Sequence, residues 1–240
     1  MATVQNNDTR PARALVVVAH PDDAEFSVAG TVALWARQGT DVFYVICTDG
    51  SRGSSDPNIT PQQLAQIRVQ EQLEAASVLG VKDVVFLGYT DGLLEPTIAL
   101  RRDITRMIRK YRPDALFCQD PTQRWHGREY INHPDHLAAG EAALAAVYPA
   151  ARDRLAFPEL LVEGLEPHKV PEVYLMGTEQ PDRWIDISPT IDLKIRALLK
   201  HRSQVNPESL ERRIRDWGRR AAENQDGMEY AEAFKYFQIR

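Results

Sequence analysis

Apolar and polar positions change period repeatedly along the chain, and each change marks an element. Residues 15–19 are five consecutive aliphatics, the pattern of a strand buried on both faces, as in parallel sheets. Residues 28–38 read as a helix that stops at Gly39, and 41–47 as a second β-rich run. A polar loop of turn formers covers 48–57. Thr60 and Pro61 then supply an N-cap and a first-turn proline for a helix ending at Leu79, with Gly80 as its stop. Its expected apolar stripe is Leu64, Ile67, Val69, Leu73, Ala76 and Leu79. Strand, helix, strand and helix follow at 84–87, 96–111, 114–118 and 134–147. Residues 149–170 are irregular and carry Pro149, Pro158 and Pro167. Two late strands (173–176 and 184–187) and two closing helices (189–201 and 208–224) complete the pattern.

Strands interleaved with helices predict βαβ units, hence an α/β fold. The expectation is a Rossmann-like, mostly parallel sheet with helices on both faces. There is no repeat, low-complexity tract or linker, so a single domain is expected over 14–240, behind a flexible N-terminal tail at 1–13.

The composition, 43% hydrophobic and 26% charged, belongs to a soluble globular chain. A formal net charge of −5 argues against a nucleic-acid partner, which needs a basic footprint. No stretch approaches the roughly 18 apolar residues of a membrane span, and residues 1–13 lack the apolar core of a signal peptide. Cys47 and Cys118 sit in apolar runs and read as buried free thiols of a reducing compartment. A cytoplasmic location without membrane or nucleic-acid contact is therefore expected.

Candidate chemistry sits where strands give way to helices. His20-Pro21-Asp22-Asp23 follows the first buried strand, and ligands of open α/β sheets bind beyond such strand ends. His20 and Asp23 are three apart across a proline-stiffened turn, so their side chains can converge. His133-Pro134-Asp135-His136 offers two imidazoles at the same spacing, where Pro134 suits the first turn of a helix. One of these could complete a His/Asp/His set, leaving the other free for proton transfer. A hydrolytic zinc site needs about three such ligands and an open position for water. Asp22 points away from its neighbour, which places it beside that water as a general base. His126, His168 and His201 have no partner spacing and read as surface or supporting residues.

Ala19-His20-Pro21-Asp22-Asp23, with Glu25, Gly30 and Thr31, resembles the signature of the PIG-L/LmbE family of zinc-dependent N-acetylglucosaminyl deacetylases, which includes the mycothiol- and bacillithiol-pathway enzymes. His133 to His136 matches its second motif, and the resemblance runs from about residue 14 to about residue 201. It implies one Zn2+ per chain held by His20, Asp23 and His136. It also implies Asp22 as general base, His133 as oxyanion stabiliser or acid, and Asp135 as a carboxylate orienting an imidazole. The chain departs from the pattern at Ala24, which intervenes before Glu25, and at Ile131, where some sugar deacetylases carry Tyr. Here Tyr130 lies one residue further back.

The implied reaction is hydrolysis of an N-acetyl or similar acyl group on an amino-sugar glycoside or a related small acetamide. Candidate substrate contacts are Ser51, Arg52, Arg68, Asp91 and Trp125, with the 120–132 loop as a specificity element. Arg68 reads equally as a surface residue pairing along its helix. The Arg-rich stretch 211–220 reads as a solvated helix or a contact between copies of the chain, rather than a ligand site. A mononuclear non-haem iron enzyme is the rival reading, because two His and one carboxylate also make its facial triad. A dinucleotide enzyme is disfavoured, because the first strand turn lacks G-x-G-x-x-G.

Overall fold

The computed structural model describes residues 10–240. The aliphatic run forms β1 (Arg13–Val18), and the chain leaves it through α1 (Asp23–Ser27) and α2 (Ala29–Arg37). Then come β2 (Asp41–Thr48), α3 (Pro61–Leu79), β3 (Asp83–Tyr89), α4 (Ile98–Tyr111) and β4 (Ala115–Gln119). A small hairpin, β5 (Trp125–His126) and β6 (Tyr130–Ile131), precedes α5 (Pro134–Ala145), which continues into a π-helical turn at Ala146–Ala150. The remainder is α6 (Glu159–Val162), β7 (Glu172–Met176), β8 (Arg183–Asp186), α7 (Ile191–Leu198), α8 (Pro207–Ala222) and β9 (Ala231–Gln238). The tail expected at 1–13 lies outside the described residues as far as residue 9. Among the described residues no helix is long and apolar enough to cross a membrane.

Seven strands make one sheet in the order β3-β2-β1-β4-β7-β9-β8. Neighbours from β3 to β7 are parallel, and β9 runs antiparallel to both β7 and β8. The sheet is covered on both faces, as expected for an α/β domain. Leu15 and Val17 pack with α4 and α5, while Val16 and Val18 pack with α2, α3 and α7. Every position of β1 after Arg13 is thus apolar because neither face meets water. Cys47 and Cys118 are buried free thiols in the cluster under α4 and α5.

Two of the differences from the sequence expectation bear on the site. The chain closes on a strand, β9, rather than on the helix before it. Its pattern is broken by Glu232, a buried residue whose carboxylate accepts the N–H groups of Gly30 (2.9 Å) and Thr31 (2.8 Å) at the start of α2. Lys194 donates to the same carboxylate at 2.6 Å, so the charge is paired inside the protein. The second difference is α3, which is capped by Thr60 and Gln63 as a reciprocal box and buries Leu64, Ala76 and Leu79 of the expected stripe, but not the rest of it. Ile67 and Leu73 are exposed, while Arg68, Glu71 and Gln72 are buried. That face serves the site described next.

Candidate metal centre

The strand order reverses between β1 and β4, and the two sequence motifs meet at the carboxyl ends of these strands. His20 leaves β1, Gln119 ends β4, and the loop after β3 brings Asp91. The first turn of α5 carries Asp135 and His136, with His133 as its N-cap. The helix can reach the strand because of Gly140: a Cβ there would lie 2.2 Å from the Gln119 carbonyl oxygen.

Three donor atoms converge. His20 Nδ1 and His136 Nε2 are 3.3 Å apart, and Asp23 Oδ1 lies 3.1 Å from the latter. A tetrahedral zinc with Zn–N bonds of about 2.0–2.1 Å has ligand edges of about 3.3–3.4 Å, so the set fits such an ion. The remaining atoms of each side chain are occupied. Asp23 Oδ2 accepts from the His20 backbone N–H (2.8 Å) and from Gln119 Nε2 (2.9 Å), leaving Oδ1 for the cation. His136 Nδ1 is 3.0 Å from Asn132 Oδ1, and His20 Nε2 is 3.1 Å from Asp135 and from Asp91. Carboxylates and amides behind metal-binding imidazoles fix their tautomer and orientation in this way.

A second cluster, His20, Asp91, His133 and Asp135, also brings ligand atoms together. Its acceptors are already committed. Asp135 accepts N–H groups from Gly92 (2.7 Å) and Leu94 (3.2 Å), Asp91 accepts from Arg52 (2.9 Å), and His133 Nδ1 accepts from Asp135 (3.2 Å). It is an outer layer behind His20 rather than a cage.

The electrostatics call for a cation. Burial lowers the pKa of His20, but hydrogen bonds to Asp135, Asp23 and Asp91 outweigh it and raise the pKa to about 12. Burial pushes Asp91 up, yet His20 and the Arg52 amide bring it down to about 2. Asp23 is likewise held ionised against burial by His136 and His20. Ionised carboxylates crowd one imidazole here, a field that a divalent ion matches better than a proton does.

Asp22 stands apart from the ligands. Its backbone is left-handed (φ 91°), a conformation costing about 1–3 kcal/mol for a non-glycine residue. Its N–H donates to Gln72 Oε1 (3.0 Å), Gln72 Nε2 donates to Glu25 Oε1 (2.9 Å), and Glu25 Oε2 is 3.1 Å from His201 Nε2. Arg68 donates to the carbonyls of Gly50 and Pro21 and lies 3.4 Å from the Asp22 carboxylate. Burial pushes the Asp22 carboxyl up to about 7, with Arg68 opposing. The polar face of α3 therefore exists to hold this loop.

The anticipated substrate contacts fare unevenly. Arg68 is neither a surface residue nor open to the cleft, but a buried clamp on Asp22. Asp91 is a buried partner of His20, and Ser51 is buried with its N–H on Asp49. Arg52 offers its backbone N–H to Asp91, a positioning contact. Trp125 is 61% exposed and does not line the cleft beside Asp23 and His136. That cleft, about 870 Å³, runs from Asp23 and His136 past Tyr130 to Trp217 and Arg213 on α8. The stretch 211–220, read from sequence as a solvated helix or a contact between copies of the chain, supplies one wall through Arg213 and Trp217. Ile131 is 85% exposed, whereas Tyr130 faces the cleft. Gln72, Gln119 and Asn132 are not singled out by the sequence, and His201, read from it as a surface or supporting residue, is a buried partner of Glu25. Gln119 closing a wholly apolar strand, and Gln72 one turn after Arg68, were the available signals.

Comparison with known proteins agrees with this arrangement. The GlcNAc-PI de-N-acetylase (PIG-L) family model matches residues 15–147, which include both histidine motifs. A diacetylchitobiose deacetylase of Thermococcus kodakarensis is 34% identical over 198 residues, covering 82% of this chain and 71% of that protein. A probable N-acetyl-α-D-glucosaminyl L-malate deacetylase of Bacillus cereus is 30% identical, covering 79% of this chain and 82% of the relative. The solved structure of N,N'-diacetylchitobiose deacetylase from Pyrococcus horikoshii superposes with a TM-score of 0.89 at 32% identity, covering 98% and 87% of the two chains. With its two histidine motifs closed over one pocket on the same fold, the chain belongs to the GlcNAc-PI de-N-acetylase family, hydrolases of amide C–N bonds.

Proposed function

We propose that the protein is a zinc-dependent N-deacetylase acting on an N-acetylated amino sugar or its glycoside. The observation that carries this reading is the convergence of His20 Nδ1, Asp23 Oδ1 and His136 Nε2, each with its other polar atoms already engaged, at one end of a cleft of about 870 Å³. Those three residues would hold one zinc, which when bound acidifies a water and polarises the acyl carbonyl.

The chain's own groups then divide the proton work. Asp22, ionised, takes the proton of the attacking water. His133 carries its proton on Nε2, because Nδ1 accepts the Asp135 N–H, and burial with the nearby His20 keeps its pKa low. It serves as a neutral donor to the oxyanion of the tetrahedral intermediate. Its low basicity makes it a poor acid store, whereas Asp22, with its pKa raised to about 7, suits delivery of the proton to the leaving amine.

Amine release from a panel of N-acetylated glycosides, with zinc and with chelator, tests the assignment alongside metal analysis of the purified protein. Zinc-dependent release from N-acetylglucosamine-containing probes is expected. Iron as the bound metal, or release unaffected by chelation, would overturn it.

A further inference from the structure

We propose that His201, on the turn after α7 and outside the cleft, is a positioning residue for Asp22: acting through Glu25 and Gln72, it holds the Asp22 backbone where the carboxylate can serve the attacking water. This rests on the deacetylase reading above and adds to it the means by which the base is aimed.

The direction of each hydrogen bond sets the relay. The Asp22 N–H needs an oxygen, and Gln72 offers Oε1 at 3.0 Å. A glutamine amide carries an oxygen on one side and an NH2 on the other, so a flipped amide would set donor against donor. Gln72 Nε2 donates to Glu25 Oε1 at 2.9 Å, which fixes the amide the right way round. Glu25 does this only while its own carboxylate is held, and His201 Nε2, 3.1 Å from Oε2, holds it. His201 Nδ1 has no partner among the described residues, so the bond to Glu25 is the one its imidazole makes. Burial disfavours the imidazolium, but the bond to Glu25 outweighs it and raises the His201 pKa, which makes the contact charge-assisted.

His201, Glu25 and Gln72 are all wholly buried, so a missing link leaves a buried polar atom without a partner. Stability alone gives little reason for the arrangement, because well-packed apolar groups in place of a buried ion pair are often as stable or more so. The relay ends instead on the left-handed backbone of Asp22 (φ 91°). His201 is itself fixed by a turn that grips α3. Its carbonyl accepts the N–H groups of Gln204 (2.9 Å) and Val205 (3.0 Å). Ser203 places its N–H (2.8 Å) and its Oγ (2.7 Å) on Glu71, the neighbour of Gln72. Position 201 lies outside the 15–147 stretch matched by the family model.

The test measures amine release from N-acetylglucosamine and N,N'-diacetylchitobiose by the zinc-loaded full chain, for wild type, His201→Leu, Gln72→Met and the double variant, with zinc content read in each. His201→Leu should lower kcat about tenfold or more and leave KM and zinc content within about twofold, because neither the cleft nor a metal ligand is touched. The cycle is the decisive readout: a relay gives the double variant the kcat of Gln72→Met alone, whereas independent packing defects multiply. His201→Gln, whose amide reaches as far as Nε2, should recover most of the loss. Where His201→Leu does not fold, His201→Asn, polar but too short to reach Glu25, takes its place in the cycle. A folded variant with kcat within about twofold of wild type, or effects that multiply, overturns the relay and leaves the deacetylase reading intact. Absence of amine from both probes in wild type counts against that reading instead. Amide hydrogen exchange at Asp22, followed by NMR, then decides the relay separately: exchange about tenfold faster in His201→Leu is expected, and wild-type protection overturns it.

Discussion

Asp22 holds the least comfortable backbone in the site, and its surroundings explain why the strain persists. Gln72 takes its N–H, Arg68 takes the carbonyl before it, and Glu25 with His201 holds Gln72 in turn. On the proposed mechanism, Asp22→Asn should lower kcat by about 10²–10⁴ while zinc content stays at one per chain. The same variant has a stability signature. An ordinary aspartate titrates near 3.9, but here burial raises the value to about 7, with Arg68 opposing. The folded state therefore keeps a proton that the unfolded chain releases. That contribution is complete below about pH 4 and is lost as pH rises through 7. In chelator, the melting temperature of Asp22→Asn should gain on wild type as the pH moves from 5 to 8, read by calorimetry. A gap independent of pH would refute the raised titration. His20, Asp22, Asp23 and His136 were legible as a group because proline-stiffened His/Asp spacings are local. Gln119 and Gln72 were not, since an amide shows its purpose only once a distant strand or loop sits against it.

At the scale of elements, the sequence pattern located every parallel strand, because strands buried on both faces are written as unbroken apolar runs. It placed only part of α3's buried face, Leu64, Ala76 and Leu79, for the opposite reason: a helix that serves a polar site also buries Arg68, Glu71 and Gln72 and leaves Ile67 and Leu73 exposed. It missed β9 because Glu232 interrupts the alternation in order to cap α2. Its reading of 211–220 as a solvated helix or a contact between copies followed from charge, which does not show that Arg213 and Trp217 line a cleft. One close approach belongs to α5. Gly140→Ala places a methyl 2.2 Å from the Gln119 carbonyl, so α5 must move away from β4. Overpacking of this kind costs about 1–3 kcal/mol. His136 lies one turn earlier on the same helix, so the displacement also loosens the ligand set. Urea unfolding should show the stability loss and a zinc titration a weakened affinity. A variant with lost stability and unaltered zinc binding would separate the helix position from the ligand geometry.

For the molecule as a whole, the cation proposed here would add a cross-link between β1 and α5 beside the His20–Asp135 and Gln119–Asp23 hydrogen bonds. His20 and Asp23 leave β1 on one side of the point where strand order reverses, and His136 arrives on α5 from the other. A ligand that binds the folded chain alone stabilises it by RT ln(1 + [L]/Kd), about 2.7 kcal/mol at one hundred times Kd. For a chain of this size each kcal/mol raises the melting temperature by roughly 2–4 °C, so saturating zinc should add about 5–10 °C. His136→Ala removes a ligand from a half-buried position without emptying the core, and it should fold while losing that increment. Asp22→Asn, which touches no ligand atom in the proposed set, should keep it. Calcium, which takes six to eight oxygen ligands, has no matching set in two imidazoles and one carboxylate and should add little at the same concentration. A zinc increment that survived in His136→Ala would place the ion elsewhere and detach the fold's switch point from the chemistry.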